Sequence, residues 1–138
     1  MIVFADACYW IALLNPGDSL NRVARARAKA LKSARILTTD FVLVEVLNFF
    51  CERGTDLRMA AHAITTNLVT GSAVDVVPGS RETFMQGLDL YGNRPDKQYS
   101  HTDCVSFEVM RRRNLKDALT NDHHFEQEGF RALLKGEP

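Results

Sequence analysis

The sequence predicts an α/β fold: a three-layer α/β/α sandwich around a mainly parallel sheet of four to five strands. Three observations predict it. Short apolar runs alternate with capped, amphipathic stretches, the order that builds parallel strands joined by helices. The length of 138 residues suits a single core, and 46% hydrophobic residues suffice to fill it. No internal repeat, low-complexity tract or linker divides the chain, so residues 1–138 are read as one domain. Right-handed crossovers then place helices on both faces of the sheet.

The elements follow in order. Ile2-Val3-Phe4-Ala5 is short and apolar and ends at Asp6, which reads as a buried strand. Cys8 to Leu14 is a short helix stopped by Asn15-Pro16-Gly17. Ser19 caps a helix running to about Ser33, with Val23, Ala26, Ala30 and Ala34 on its apolar face. Ile36 to Thr39 is the second strand. Asp40 caps the next helix, about Phe41 to Cys51, which Gly54 closes. Thr55 caps a fourth helix carrying Leu57, Ala61, Ile64 and Leu68 and ending near Gly71. Val74 to Val77 is the third strand, broken by Pro78-Gly79, and Ser80 caps a helix to about Tyr91. Gly92 to Tyr99 is a polar loop. Ser100-His101-Thr102-Asp103 has capping-box spacing and opens a helix to about Arg113. Leu115 to Thr120 leads into a fourth strand, and Phe130 to Leu134 is a candidate fifth.

Charge and cysteine content narrow the function classes. Lys plus Arg number 17 and Asp plus Glu number 17, so the chain has no strongly basic coat, although a local basic face remains open. Such a face is present from Ser19 to Leu37, which holds six cations and no acid. Arg22, Arg25, Lys29 and Lys32 fall along one helical face, opposite Val23 and Ala30, either as a solvated surface or as a phosphate-contacting stripe. No apolar run approaches the ~18 residues of a membrane span. Met1 to Ala5 lacks a basic leader, so no secretory signal is expected. Cys8, Cys51 and Cys104 have no CxxC or Cys/His spacing and read as reduced thiols of a cytoplasmic protein.

Four acids stand apart from the solvated majority. Asp6 follows the first strand and Asp122 the fourth, and open α/β sheets bind ligands outside the carboxyl ends of their strands. Glu45 lies in the second turn of a helix whose neighbours Val42, Leu43, Val44, Val46, Leu47 and Phe49 are apolar. Asp103 opens a helix and is followed by Cys104, Val105 and Phe107. Each has a plain structural alternative: a cap for Asp103, an ion pair with Arg for Glu45, a turn acid for Asp6 and Asp122. A shared site explains all four together. Converging carboxylates repel unless a cation intervenes, and hard oxygen donors suit Mg²⁺ or Mn²⁺. The remaining polar and aromatic residues have simpler readings. Asp40 is a helix cap and Asp117 a loop acid. His123 and His124 sit in a turn over the sheet edge, and Arg111-Arg112-Arg113 complements a helix dipole. Tyr9, Trp10, Phe49 and Phe50 read as core or a dimer surface; stacking on nucleic-acid bases stays open, although no recognisable module supports it.

The ordered set resembles the PIN-domain nucleases of the VapC-like toxin type. The matching segments are Val3 to Asp6, Leu37 to Glu45, Ser100 to Phe107, Ala118 to Phe125 and Gly129-Phe130, and they span essentially the whole chain. The resemblance implies a metal-dependent endoribonuclease in which Asp6, Glu45, Asp103 and Asp122 form an acidic quartet holding Mg²⁺ or Mn²⁺. Thr120 matches a hydroxyl residue beside that quartet. It further implies an RNA substrate, a small antitoxin partner and a homodimer. One position departs from the pattern: the family often has Thr or Ser after the first Asp, and here Ala7 and then Cys8 stand there.

Other classes fit less well. A phosphoaspartate enzyme wants a second acid two residues after Asp6, where Cys8 stands. A response-regulator receiver wants acids clustered early and a late strand-end Lys. A P-loop or Rossmann site wants a glycine-rich loop after the first strand, and none follows Asp6. The remaining alternative is a non-catalytic or RNA-processing PIN-domain protein that binds nucleic acid without an antitoxin. A metal titration with an RNA cleavage assay separates it from the nuclease.

Overall fold

The computed structural model describes residues 1–136. Among them, β1 (Ile2–Ala5), β2 (Arg35–Thr39), β3 (Val74–Val77), β4 (Asp117–Leu119) and β5 (Arg131–Ala132) form one sheet in the order β3-β2-β1-β4-β5. Every pairing is parallel, with Phe4 opposite Leu37 on one side and Ala118 on the other. A parallel sheet must be covered on both faces, and the central strands accordingly carry Val3, Phe4, Leu37 and Leu119, all buried.

The helices are α1 (Ala7–Leu14), α2 (Asn21–Ala30), α3 (Asp40–Phe50), α4 (Thr55–Thr70), α5 (Arg81–Asn93), α6 (His101–Arg112) and α7 (His123–Gln127). The chain steps from β1 outward to β2 and β3, then returns across the sheet to β4. With right-handed crossovers, α1 to α4 cover one face and α5 to α7 the other. The contacts agree, since α1 packs on α2 and α3, α3 on α4, α5 on α6, and α6 on α7. The sandwich expected from the sequence is the fold observed.

Close packing explains one glycine. A Cβ at Gly87 would lie 2.4 Å from Val105 Cγ2 and 3.1 Å from the Val105 backbone nitrogen, so only glycine lets α5 seat on α6. Gly129 is needed for a different reason. Its φ of +92° turns the chain from α7 into β5.

Several local expectations are corrected. Ser19 does not cap α2. Asp18 Oδ1 takes the Leu20 N–H at 2.8 Å, and the helix opens at Asn21 without a side-chain cap. It also ends at Ala30, which is exposed, while Val23 and Ala24 form the buried side. Thr39, not Asp40, caps α3, accepting the Val42 N–H at 3.1 Å, which frees Asp40 to accept from Gly79 N at 2.7 Å. Gly54, not Thr55, stands at the N-cap of α4. Ser80 and Ser100 do cap their helices, each within a reciprocal capping box.

The carboxyl-terminal third departs most. The turn expected at His123-His124 is the first turn of α7, capped by Asp122. Asp117 is no loop acid. It is buried in β4 and takes two hydrogen bonds from Arg131, at 2.6 and 2.9 Å, which pins β5 to β4. Arg111 does more than meet a helix dipole, because it pairs with Glu128, as Arg94 does at 3.1 Å.

Candidate active site

The reversal of strand order falls between β1 and β4, so a crevice opens beyond their carboxyl ends. A cavity of about 890 Å³ occupies it, lined by Asp6, Glu45, Asp103 and Asp122 among others. Four acids from four distant parts of the sequence therefore share one space. Each arrives by a separate local device.

Asp6 is the residue after β1 and stands at the N-cap position of α1, 6% exposed. Its backbone N–H continues the ladder to Leu119 O at 3.2 Å. Asp122 does not follow β4 directly. Thr120 and Asn121 intervene, and Asp122 caps α7, its Oδ1 accepting from His124 N at 2.9 Å. Asp103 is both cap and cavity residue: Oδ2 accepts the Ser100 N–H at 3.1 Å, and Oδ1 has no partner among the described residues. Glu45 sits mid-helix on α3, half-buried, and no Arg or Lys pairs with it among the described residues. The ion pair considered for Glu45 is absent there.

Thr120 joins two of the acids. Its hydroxyl donates to Asp6 Oδ2 at 2.9 Å and accepts the Asp122 N–H at 3.1 Å. Cys8 packs beside this junction. Its sulfur lies 3.5 Å from Thr120 Oγ1, 3.9 Å from Asp6 Oδ2, and accepts the Asn121 N–H at 3.4 Å. Burial, with the neighbouring Asp6 charge, pushes this thiol up to about 12, so it is neutral packing and no nucleophile.

The electrostatics reflect acids crowded with no Lys or Arg among the described lining residues. Burial raises the Asp6 carboxyl to about 6, with Asp103 and Asp122 adding to the rise against hydrogen bonds from Ala7 and Thr120. Burial and then the charges of Asp6, Asp103 and Asp122 raise Glu45 to about 7. Asp103 is also raised, chiefly by burial. No Lys or Arg is among the described residues that line the cavity. An all-oxygen donor set whose members destabilise one another's ionised forms is chemically suited to a hard divalent cation.

Sequence reasoning missed His124. Its Nδ1 lies 3.3 Å from both Asp103 Oδ2 and Asp122 Oδ1, and its ring meets Tyr99 edge-on at 5.2 Å. Asp122, His123 and His124 each present a ligand atom within 4.8 Å of the others. The available signal was the Asp-x-His spacing, which places the imidazole back over the capping carboxylate once a helix starts there. The basic face is partly as expected. Arg22, Arg25 and Lys29 are exposed and line a separate groove of about 440 Å³, whereas Lys32 lies beyond the end of α2. Tyr9, Trp10 and Phe50 are core, but Phe49 is half-buried and lines the acidic cavity.

Comparison with known proteins agrees with this picture. Residues 3–130 match the family model described as PIN domain. The chain is 31% identical over 132 residues to the 23S rRNA-specific endonuclease VapC20 of Mycobacterium tuberculosis, in strains CDC 1551 / Oshkosh and ATCC 25618 / H37Rv. The match covers 94% of this chain and 95% of that protein. The crystal structure of Mycobacterium tuberculosis VapC20, a sarcin-ricin loop cleaving toxin, superposes with a TM-score of 0.83 at 27% identity, covering 95% of this chain and 97% of the other.

Proposed function

The chain belongs to the PIN domain family, and on that premise we propose that it is a metal-dependent endoribonuclease, the toxin of a toxin–antitoxin pair. The observation that carries the reading is the cavity at the strand-order reversal, lined by Asp6, Glu45, Asp103 and Asp122 with no Lys or Arg among the described residues to neutralise them. The similarity to an endonuclease and toxin over nearly the whole chain supports it. Residues 1–138 act as one nuclease domain in this reading.

Asp6, Asp103 and Asp122 would hold Mg²⁺ or Mn²⁺, with Glu45 completing the set. When bound, such an ion neutralises charge on the phosphate and lowers the pKa of a coordinated water. Thr120 fixes the Asp6 carboxylate by its hydroxyl hydrogen and holds the Asp122 backbone in register with it. Glu45 would help bind the metal or orient the attacking water, since it faces the same cavity as the other three acids. His124 steadies Asp103 and Asp122 against each other. The cations Arg22, Arg25, Lys29 and Lys32 would meet flanking RNA phosphates; Leu20, just before α2, lines the cavity and brings that helix to its rim. We place the protein in the cytoplasm, with a small antitoxin as partner and a homodimer as its assembly. Among the described residues no helix is long and apolar enough to cross a membrane.

The test is cleavage mapping on total RNA with Mg²⁺ or Mn²⁺, wild type against Asp6→Asn. The relative named for 23S rRNA makes ribosomal RNA the first substrate to inspect. Defined ends in the wild-type lane that vanish with Asp6→Asn are expected. Equal cleavage by both proteins would overturn the assignment. A wild type that binds RNA and metal yet leaves every RNA intact would favour the non-catalytic alternative.

A further inference from the structure

We propose that Phe49 is a stacking platform for one unpaired nucleobase beside the scissile phosphate, and that the Asn48 and Gln98 amides read that base; this rests on the ribonuclease reading above. The position follows from helix geometry. Asn48 and Phe49 lie three and four residues after Glu45 on α3, so each neighbours Glu45 about one turn, near 5.4 Å, further along the helix. All three line the acidic cavity. A nucleotide whose phosphate meets the acids would therefore bring an adjacent base within reach of the Phe49 ring.

Three observations favour a base as occupant. First, Phe49 is half-buried while its neighbour Phe50, which meets it edge-on at 5.0 Å, is fully buried. Phe50 is wholly core, whereas Phe49 packs on the core with only part of its surface and lines the cavity with another part. Second, Arg53 lies over the Phe49 ring at 3.9 Å, held there because its Nε donates to Phe49 O at 2.7 Å. This pairing fixes the ring and places an exposed cation beside a cavity whose own charges are negative, where a polyanion needs one. Third, the cavity is apolar on one part and amide-bearing on another. Ile11 and Leu20 extend the apolar lining, and the exposed Asn48 and Gln98 bring side-chain amides to it. Amides carry both a donor and an acceptor, the pattern of a base edge. A volume of about 890 Å³ accommodates a ligand of nucleotide size.

The experiment uses a short single-stranded oligoribonucleotide carrying, at each position in turn, a fluorescent purine analogue quenched by stacking. It is bound in Mg²⁺ to the full chain with Asp6→Asn, so that the RNA stays intact. Quenching at one position, next to the mapped cut, is expected. Phe49→Ala in that background should abolish the quench and weaken binding about 5- to 150-fold, the range for loss of one stacked base. Phe49→Trp should keep both, and Phe49→Leu, which preserves apolar packing, should lose the quench with the fold intact. Replacing the quenched nucleotide by an abasic one should erase the affinity difference between the Phe49→Ala variant and its Asp6→Asn parent. A Phe49→Ala penalty equal on intact and abasic RNA, or no quench anywhere, overturns the platform. Cleavage by the otherwise wild-type protein is scored in parallel. Cleavage without quenching removes the platform alone, quenching without cleavage removes the ribonuclease reading alone, and neither removes both.

Discussion

Thr120 donates its hydroxyl hydrogen to Asp6 Oδ2 across 2.9 Å, although 114 positions separate them in the chain. The Thr120 hydroxyl oxygen itself accepts the Asp122 N–H. One buried hydroxyl thus ties the acid after β1 to the acid after β4. Thr120→Val keeps the shape and removes both bonds, leaving a backbone donor unpaired. Loss of about 1–3 kcal/mol of stability in urea denaturation is expected, together with weaker divalent-metal binding. Thr120→Ser should recover most of both. Equal metal affinity for the Val and Ser variants would show that the hydroxyl does not organise the acids.

Asp6 and Glu45 predict how stability varies with pH. Each binds its proton more tightly folded than unfolded, at about 6 and about 7 against ordinary values of 3.8 and 4.5. Between those limits the folded chain holds the extra protons, so raising pH from about 5 to about 8 lowers the stability of metal-free protein. Divalent metal should offset the loss, and do so more at the higher pH than at the lower, where protons compete for the same oxygens. Melting curves with and without Mn²⁺ at the two pH values check both signs.

Asp6→Asn should separate stability from activity. It removes a buried charge that its neighbours disfavour, while the amide oxygen still accepts from Thr120. Metal-free Asp6→Asn protein is expected to melt higher than wild type near pH 8, by a gain on the order of 1 kcal/mol. RNA cleavage should fall by about a hundredfold or more. A variant less stable than wild type would mean that burial does not dominate the Asp6 site.

Glu128 holds the far side of the cavity in place. Its side chain is 5% exposed and accepts from Arg94, Arg111 and the Tyr99 hydroxyl. Burial pushes its carboxyl upward, but those three donors outweigh burial and keep it below the ordinary value. Tyr99 also meets the His124 ring, so the brace reaches the acids. Glu128→Gln should cost about 1–2 kcal/mol, because Arg94 loses its charge partner and Arg111 keeps only Glu108, while solvent screens both partly exposed guanidinium groups. The loss is present near pH 7 and shrinks on acidification, as the wild-type carboxylate itself protonates. Urea midpoints at about pH 7 and about pH 3 measure it.

The basic face of α2 predicts salt-dependent binding. Arg22→Glu with Arg25→Glu should weaken RNA affinity at low salt and flatten the dependence of log Kd on log salt by about one unit per lost phosphate contact. Cleavage at saturating RNA should change little, because these residues lie outside the acidic cavity lining. Unchanged affinity and slope would assign the face to solvent.

Local signals in the sequence were strong where one segment decided the outcome. Ile2–Ala5 is a strand because four apolar residues end at an acid, and Ser80 and Ser100 begin helices because each finds a partner three residues on. Signals failed where a competing group was closer. Asp18 took the bond expected of Ser19, and Thr39 the one expected of Asp40. The two-residue β5 and five-residue α7 are too short to carry a period, and they hold through Arg131–Asp117 and the Asp122 cap.

Residue order was enough to establish the alternation of strands and helices, hence the layered parallel fold. It also singled out four acids at strand ends or on apolar helices. Capping and hydrophobic periodicity act over a few residues, so both can be read along the chain. Folding in three dimensions was needed to bring those acids to one cavity, to keep Lys and Arg out of its described lining, and to stand Thr120, His124 and Phe49 beside them. That outcome depends on β4 returning to lie next to β1. The pairing joins segments more than a hundred residues apart, a separation that capping and periodicity along the chain do not reach.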